Sequence, residues 1–336
     1  MPSRAPAAAT PTVDPDVGRF VREVNEAYAS IAGFGSLTPP EVRRAAEVVR
    51  APWRAGGPVM LNVRELVVPA GAGRMRIRVY DPGPAGPKPA LLYAHGGGWV
   101  MFSLDTHDRV MREYAARSGV AVIGLDYPLS PEAKFPLALH QIAEVVRWVG
   151  EHGAEVGIDP KRLALGGDSA GGNLSLSTAL LLRDAGEGTR LSALLLNYGA
   201  FDSVCSPAAA ASRGGDGAML TAPEMARFFE QYTRSPAEVA SPLVCPLRAR
   251  LEGLPPTFLT IPDCDILSEQ SDALAEKLGE ARVPVRAVTY RGATHSFLEA
   301  VSISALADAA LEDGSKWLKQ VLSGASPPTG LSVVAI

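Results

Sequence analysis

A serine between glycines, Gly167-Asp168-Ser169-Ala170-Gly171, stands where the apolar run Leu163-Ala164-Leu165 gives way to a small-residue stretch with helical character. The pattern is G-x-S-x-G between a predicted strand and a predicted helix, the setting a nucleophile elbow requires. On so sharp a turn, side chains two positions before and after the serine would collide with neighbouring backbone, so glycine is favoured at both. The helix that follows aims its first amides toward the serine, where negative charge develops in acyl transfer. Glycine-rich turns are also common in α/β proteins, so the pentapeptide needs chemical partners elsewhere in the chain.

A serine hydroxyl is a poor nucleophile and needs a base held in one tautomer. Five histidines compete. His140 and His152 fall on or just after a helix with a polar face and read as solvated. His107 sits near a helix start with no evident role. His95 precedes a glycine triplet and reads as a residue that shapes its loop. His295 follows the predicted strand Val285–Tyr290 in the short loop Gly292-Ala293-Thr294-His295-Ser296-Phe297, and catalytic groups of such sheets gather at the carboxyl ends of strands. His295 is therefore the candidate base. The orienting acid is expected after another strand, and Thr257–Ile261 leads into Pro262-Asp263-Cys264-Asp265. Spacing leaves both aspartates open; one would face the histidine and the other would make local turn hydrogen bonds. The order serine, acid, histidine is that of α/β-hydrolases and differs from the chymotrypsin and subtilisin orders.

His95-Gly96-Gly97-Gly98 follows the predicted third strand. Unobstructed glycine amides there can approach an oxyanion, with the Ala170 amide completing the set. Gly96, Gly97, Gly98 and Ala170 are the candidate oxyanion-hole residues. Trp99, Phe102, Asp168, Tyr198 and Phe201 are the candidates for a substrate pocket, with ordinary core packing as the alternative.

The elements that must position these residues alternate. Two β-like segments, 61–69 and 74–80, read as a hairpin, followed by strands at 90–94, 120–125, 163–165, 191–197, 257–261 and 285–290. Helices are predicted near 107–118, 136–152, 170–183, 268–281 and 303–322. Residues 170–183 carry almost no charge, which marks a helix buried on all sides. Such alternation implies an α/β fold with a mostly parallel, eight-stranded sheet and helices on both faces. Around it the expected organisation is a mobile arm over 1–17, N-terminal cap helices over 18–55, a catalytic domain in two parts (56–200 and 251–323), a cap insertion over 201–250, where prolines break the alternation, and a tail over 324–336 with no assigned partner.

Composition excludes several classes. A net charge of −4 over 336 residues, with no basic block, gives no sign of nucleic-acid binding. No apolar stretch approaches the roughly 20 residues of a membrane span. Three cysteines without C-x-x-C spacing suit a reducing compartment and no structural zinc. No signal peptide is read at the N-terminus, so a cytoplasmic location is expected; a homodimer is left open.

Four features together resemble the hormone-sensitive-lipase-like branch of the α/β-hydrolases, also called bacterial esterase family IV: HGGGW at 95–99, DYPLSPE at 126–132, GDSAGGN at 167–173, and the pair DIL at 265–267 with GATHSF at 292–297. The likeness covers roughly residues 60–322 and is nearest to the bacterial acetyl-esterase members. It implies an α/β-hydrolase fold with a helical cap, and a serine carboxylesterase for short-chain acyl esters that needs neither metal nor organic cofactor. It favours Asp265 over Asp263, because the family's acid opens a D-P-L-like motif, here Asp265-Ile266-Leu267. The catalytic set is then Ser169, Asp265 and His295. The family's Y-R-L-A-P-E appears as Tyr127-Pro128-Leu129-Ser130-Pro131-Glu132, without its arginine. Amidase action shares the same residues, and a ligand-binding protein of this fold would have lost a triad member. Neither G-x-G-x-x-G nor G-K-[ST] is present to bind a nucleotide.

Overall fold

The computed structural model describes residues 11–325 and 331–336, apart from 85 and 216. The strands are β1 (Asn62–Ala70), β2 (Gly73–Asp81), β3 (Lys88–Ala94), β4 (Ala121–Asp126), β5 (Ile158–Asp168), β6 (Ala193–Asn197), β7 (Thr257–Cys264), β8 (Val285–Thr294) and β9 (Leu331–Ala335). The helices are α1 (Pro15–Ala29), α2 (Pro39–Arg54), α3 (Asp108–Ser118), α4 (Leu137–His152), α5 (Ala170–Asp184), α6 (Pro207–Arg213), α7 (Ala222–Tyr232), α8 (Ser268–Glu280) and α9 (Ala305–Leu322).

One sheet runs in the order β1-β2-β4-β3-β5-β6-β7-β8-β9. β1 and β2 form the expected hairpin, and β2 also meets β4 antiparallel; every other pairing is parallel. The sheet has nine strands and not the eight read from the sequence. The extra one is β9, within the tail to which no partner was assigned; it lies parallel to β8, Val285 opposite Leu331. Hydrophobic alternation could not announce it, because a five-residue edge strand after a proline-rich stretch carries too short a pattern.

The central strands read as unbroken apolar runs because both of their faces are covered. Every residue of β6 is buried, whereas β1 at the edge exposes most of one face. Helices α4, α5 and α8 cover one side with a core that includes Leu92, Leu165 and Leu196. α3 and α9 cover the other with Leu91, Tyr93 and Leu195. As its lack of charge predicted, α5 is buried almost throughout.

The helices before the sheet begin earlier than expected. Asp14 caps α1, its side chain accepting from the amides of Asp16 and Val17, and its own amide donates to the Gly292 carbonyl at 2.9 Å. The expected mobile arm over 1–17 thus gives way to ordered chain by Asp14; residues 1–10 lie outside the described residues. α2 starts with the capping box Thr38/Glu41, and α1 packs on it through Phe20 and Trp53, ring centroids 4.8 Å apart. α7 opens with a second capping box, Thr221/Glu224. Arg43 of α2 ties this helix to the Tyr127–Glu132 segment: it donates to the Val100 and Ser130 carbonyls at 2.8 and 2.7 Å and pairs with Glu132 at 2.6 Å. An arginine from another element thus anchors the motif whose own arginine is missing. Among the described residues no helix is long and apolar enough to cross a membrane.

Candidate active site

Ser169, Asp265 and His295 each follow the last residue of a parallel strand, β5, β7 and β8, so one edge of the sheet gathers all three. Ser169 occupies φ 53°, ψ −117°, a strained backbone for a non-glycine residue. The turn is closed by near contact of backbones: a Cβ on Gly171 would fall 1.9 Å from the Ala94 carbonyl oxygen, and one on Gly167 would fall 2.2 Å from the same atom. This steric limit is the one read from the sequence.

His295 Nδ1 donates to Asp265 Oδ2 at 2.7 Å, and His295 Nε2 accepts from Ser169 Oγ at 2.9 Å. The second Asp265 oxygen accepts from the Leu267 amide at 3.0 Å, so the carboxylate is fixed on both sides. Burial disfavours a charged His295, but the adjacent Asp265 carboxylate outweighs it, and the imidazole pKa is raised above the ordinary value. Asp263 has a different task. Its Oδ1 accepts from the Gly292 amide at 2.7 Å and holds the loop that carries His295.

A second histidine–aspartate pair lies behind the glycine triplet. Asp168 Oδ1 accepts from Tyr93 Oη at 2.9 Å and from the Gly96 amide at 3.1 Å, and Oδ2 meets His107 Nε2 at 3.3 Å. Burial alone would raise the Asp168 carboxyl; His107 outweighs it and holds the group below the usual carboxylate range. Burial likewise works against a charged His107, and Asp168 raises it. His95 differs: burial, with His107 close by, pushes it down to about 3, so the ring is neutral. Its Nδ1 lies 2.7 Å from the Gly96 carbonyl and its ring stacks on Tyr127 at 4.5 Å, which fits the loop-shaping role expected.

Ser169 and His295 open onto a cavity of about 210 Å³. Gly97, Gly98 and Ala170 line it beside the serine. Gly96 is the exception in the expected oxyanion set: it is not part of the lining, and its amide is already spent on Asp168. Trp99 and Phe102 line the cavity as expected. Asp168, Tyr198 and Phe201 do not. Asp168 points behind the loop to His107; Tyr198 packs its ring edgewise on His295 with centroids 5.2 Å apart; Phe201 is fully buried in the core. The remaining walls come from outside the sheet, with Tyr28 and Arg50 from α1 and α2, and Leu220, Phe228 and Phe229 in and just before α7. Phe228 and Phe229 lie on a helix legible in the sequence, but nothing in the pattern said which face met the serine. Arg50 had no sequence signal.

The comparisons identify the family of the chain. A family model described as alpha/beta hydrolase fold matches residues 91–299. A hyperthermophilic esterase from the archaeon Pyrobaculum calidifontis is 31% identical, with TM-score 0.86 over 92% of this chain and 98% of that one. A thermostable esterase from Pseudomonas putida is 31% identical, with TM-score 0.84 over 94% and 99%. A thermophilic carboxylesterase cloned from a metagenomic library is 31% identical, with TM-score 0.82 over 85% and 98%. Ser169, His295 and Asp265 thus sit in a chain that belongs to the α/β-hydrolase fold family, in the hormone-sensitive-lipase-like branch.

Proposed function

We propose that this carboxylic ester hydrolase cleaves short-chain acyl esters through Ser169, His295 and Asp265. The observation that carries the reading is the unbroken hydrogen-bond chain from Ser169 Oγ through His295 to Asp265, 2.9 and 2.7 Å long, opening onto a cavity. The Ser169 proton passes to His295 Nε2 as the oxygen attacks the ester carbonyl. The amides of Gly97, Gly98 and Ala170 hold the oxyanion, each donor contributing about 3 kcal/mol to the transition state. Collapse expels the alcohol, which takes its proton from His295 Nε2. Water, deprotonated by the same nitrogen, then attacks the acyl-enzyme and releases the acid while Ser169 regains its hydrogen. Asp265 keeps the imidazole in the tautomer that can accept from serine and stabilises the imidazolium when it forms.

The acyl limit follows from the cavity. Its 210 Å³ lies below the roughly 300–1,000 Å³ of pockets for drug-sized ligands, and Phe228 and Phe229 stand in its wall. The helices at 18–55 and the 201–250 insertion act as the cap that sets this limit. The free thiols Cys205, Cys245 and Cys264 fit a reducing, cytoplasmic setting.

Hydrolysis of p-nitrophenyl esters from acetyl to palmitoyl, with Ser169→Ala alongside, tests the reading. Fast serine-dependent cleavage confined to short chains is expected. Equal rates on long chains would overturn the acyl limit. No cleavage of any length by a folded protein would overturn esterase action in favour of a narrow amidase or a binding role.

A further inference from the structure

The cavity wall supplied by α1 and α2 carries a cation that ester cleavage does not use. Arg50 lines the cavity yet is only 3% exposed, and its guanidinium lies over two aromatic rings, 4.9 Å from the Phe102 centroid and 5.6 Å from that of Phe20. Among the described residues its counter-charge is Glu299, Nη1 to Oε2 3.2 Å, with both side chains almost fully buried. Nη2 reaches the Met219 sulfur at 3.8 Å, a weak acceptor. Nε and Nη1 of Arg50, the Tyr28 hydroxyl beside the same cavity, and both Glu299 oxygens have no hydrogen-bond partner among the described residues.

Such an arrangement is costly as packing. A buried ion pair gains little over apolar side chains of the same volume, and unpaired buried donors add to the cost. Ligand pockets, by contrast, are apolar surfaces with a few placed polar groups that fix orientation. Arg50 carries N–H donors in a rigid fork held between two aromatic rings at the cavity wall, which leaves the group immobile. Glu299 cancels its charge. A carboxylate on the ligand would therefore meet a second carboxylate nearby, whereas a neutral acceptor would meet donors without net repulsion.

We propose that Arg50 is a specificity-determining residue that receives a neutral oxygen acceptor of the substrate, so that the preferred esters carry a second oxygen function, a carbonyl, ether or hydroxyl, besides the ester that is cleaved. This rests on the reading of Ser169 as an ester-cleaving nucleophile. It deepens that reading by naming a substrate class: small oxygenated esters, in preference to plain alkanoates.

The test compares isosteres. One series is p-nitrophenyl alkanoates with each acyl methylene in turn replaced by an ether oxygen; the other is alkyl butyrates with the same replacement along the alcohol, followed by acid release. In at least one position of one series the oxygen analogue is expected to exceed its hydrocarbon partner in kcat/KM by roughly tenfold to a hundredfold, the range of a hydrogen bond to a charged group. Arg50→Met combined with Glu299→Met removes both charges together and leaves neither stranded. In that variant the ratio is expected to fall to one or below, with a thermal melt reporting that it folds. Hydrocarbon preferred at every position by the wild type would overturn the proposal, as would an oxygen preference that survives in the folded double variant. Cleavage of p-nitrophenyl acetate serves as reference. If it proceeds while the preference is missing, only the role of Arg50 fails; if no ester is cleaved, the esterase reading fails with it.

Discussion

His295 and His107 are both buried, and each meets an aspartate, at 2.7 and 3.3 Å, yet they are connected in opposite ways. His295 has a donor on one side and an acceptor on the other: Nδ1–H to Asp265, Nε2 open to the Ser169 hydroxyl. A ring held so can take up a proton and return it. His107 is held on both sides by residues away from the serine. Nε2 meets Asp168, and Nδ1 lies 2.9 Å from Thr106 Oγ1, which also meets the Ser103 carbonyl at 2.9 Å. Both ring nitrogens are thus engaged within the loop, and the pairing raises the pKa of His107 and lowers that of Asp168. The first pair addresses the Ser169 hydroxyl at the cavity; the second addresses the Gly96 amide and, through it, the loop that presents Gly97 and Gly98. What separates the two rings is what the second nitrogen meets: the Ser169 hydroxyl at the cavity in one, a threonine of the same loop in the other.

The comparison can be broken most severely at the serine. Ser169→Ala is expected to reduce kcat by at least about 10⁴-fold with the melting temperature no lower than wild type, since the substitution also removes an oxygen and leaves the packing intact. Next in size is the acid of the first pair. Asp265→Asn is expected to cost about 10³- to 10⁴-fold in kcat, because an amide no longer enforces the tautomer. Asp263→Asn weakens one loop hydrogen bond and is expected to stay within about tenfold of wild type. Similar losses in both would contradict the assignment of the acid.

For the second pair, Asp168→Asn is expected to lower kcat by roughly 10- to 100-fold with KM little changed, the cost of loosening charge-assisted bonds to the Gly96 amide. A loss as large as that of Asp265→Asn would make Asp168 a member of the catalytic set. The smallest effect is on the pH profile. His295 must be neutral to act as base, and its pKa is raised, so activity is lost as pH falls through a value above the ordinary 6.5. Asp265→Asn removes the group that raises it and is expected to move this acid limb to lower pH in the residual activity. Asp168→Asn, farther from His295 in the network, is expected to move it less.

The first pair was legible in the sequence and the second was not. Ser169, Asp265 and His295 are each placed by a strand end, and strand ends follow from apolar runs bounded by glycine and polar residues. The choice between Asp263 and Asp265 needed the family pattern, because two residues apart on one turn differ only in direction. His107 offered no pattern: its partner lies 61 positions away and its role depends on which way Asp168 turns behind the loop. The same limit explains why Asp168 was expected in the pocket and Gly96 in the oxyanion set. Each of those expectations assigned a polar atom to the substrate, and the structure pairs the two with each other. Strand β9 and the anchoring of Tyr127–Glu132 by Arg43 leave no mark in the sequence for a related reason. Both join segments far apart in the chain, and local periodicity does not report such contacts.

The most direct test of the central claim is covalent. A p-nitrophenyl alkylphosphonate of short chain should transfer one phosphonyl group per protein chain, with peptide mapping placing it on Ser169, with activity lost in proportion and with no adduct on Ser169→Ala. Labelling at another residue, or none in a folded protein at pH values where His295 is neutral, would contradict the assignment of Ser169 as the nucleophile of this esterase.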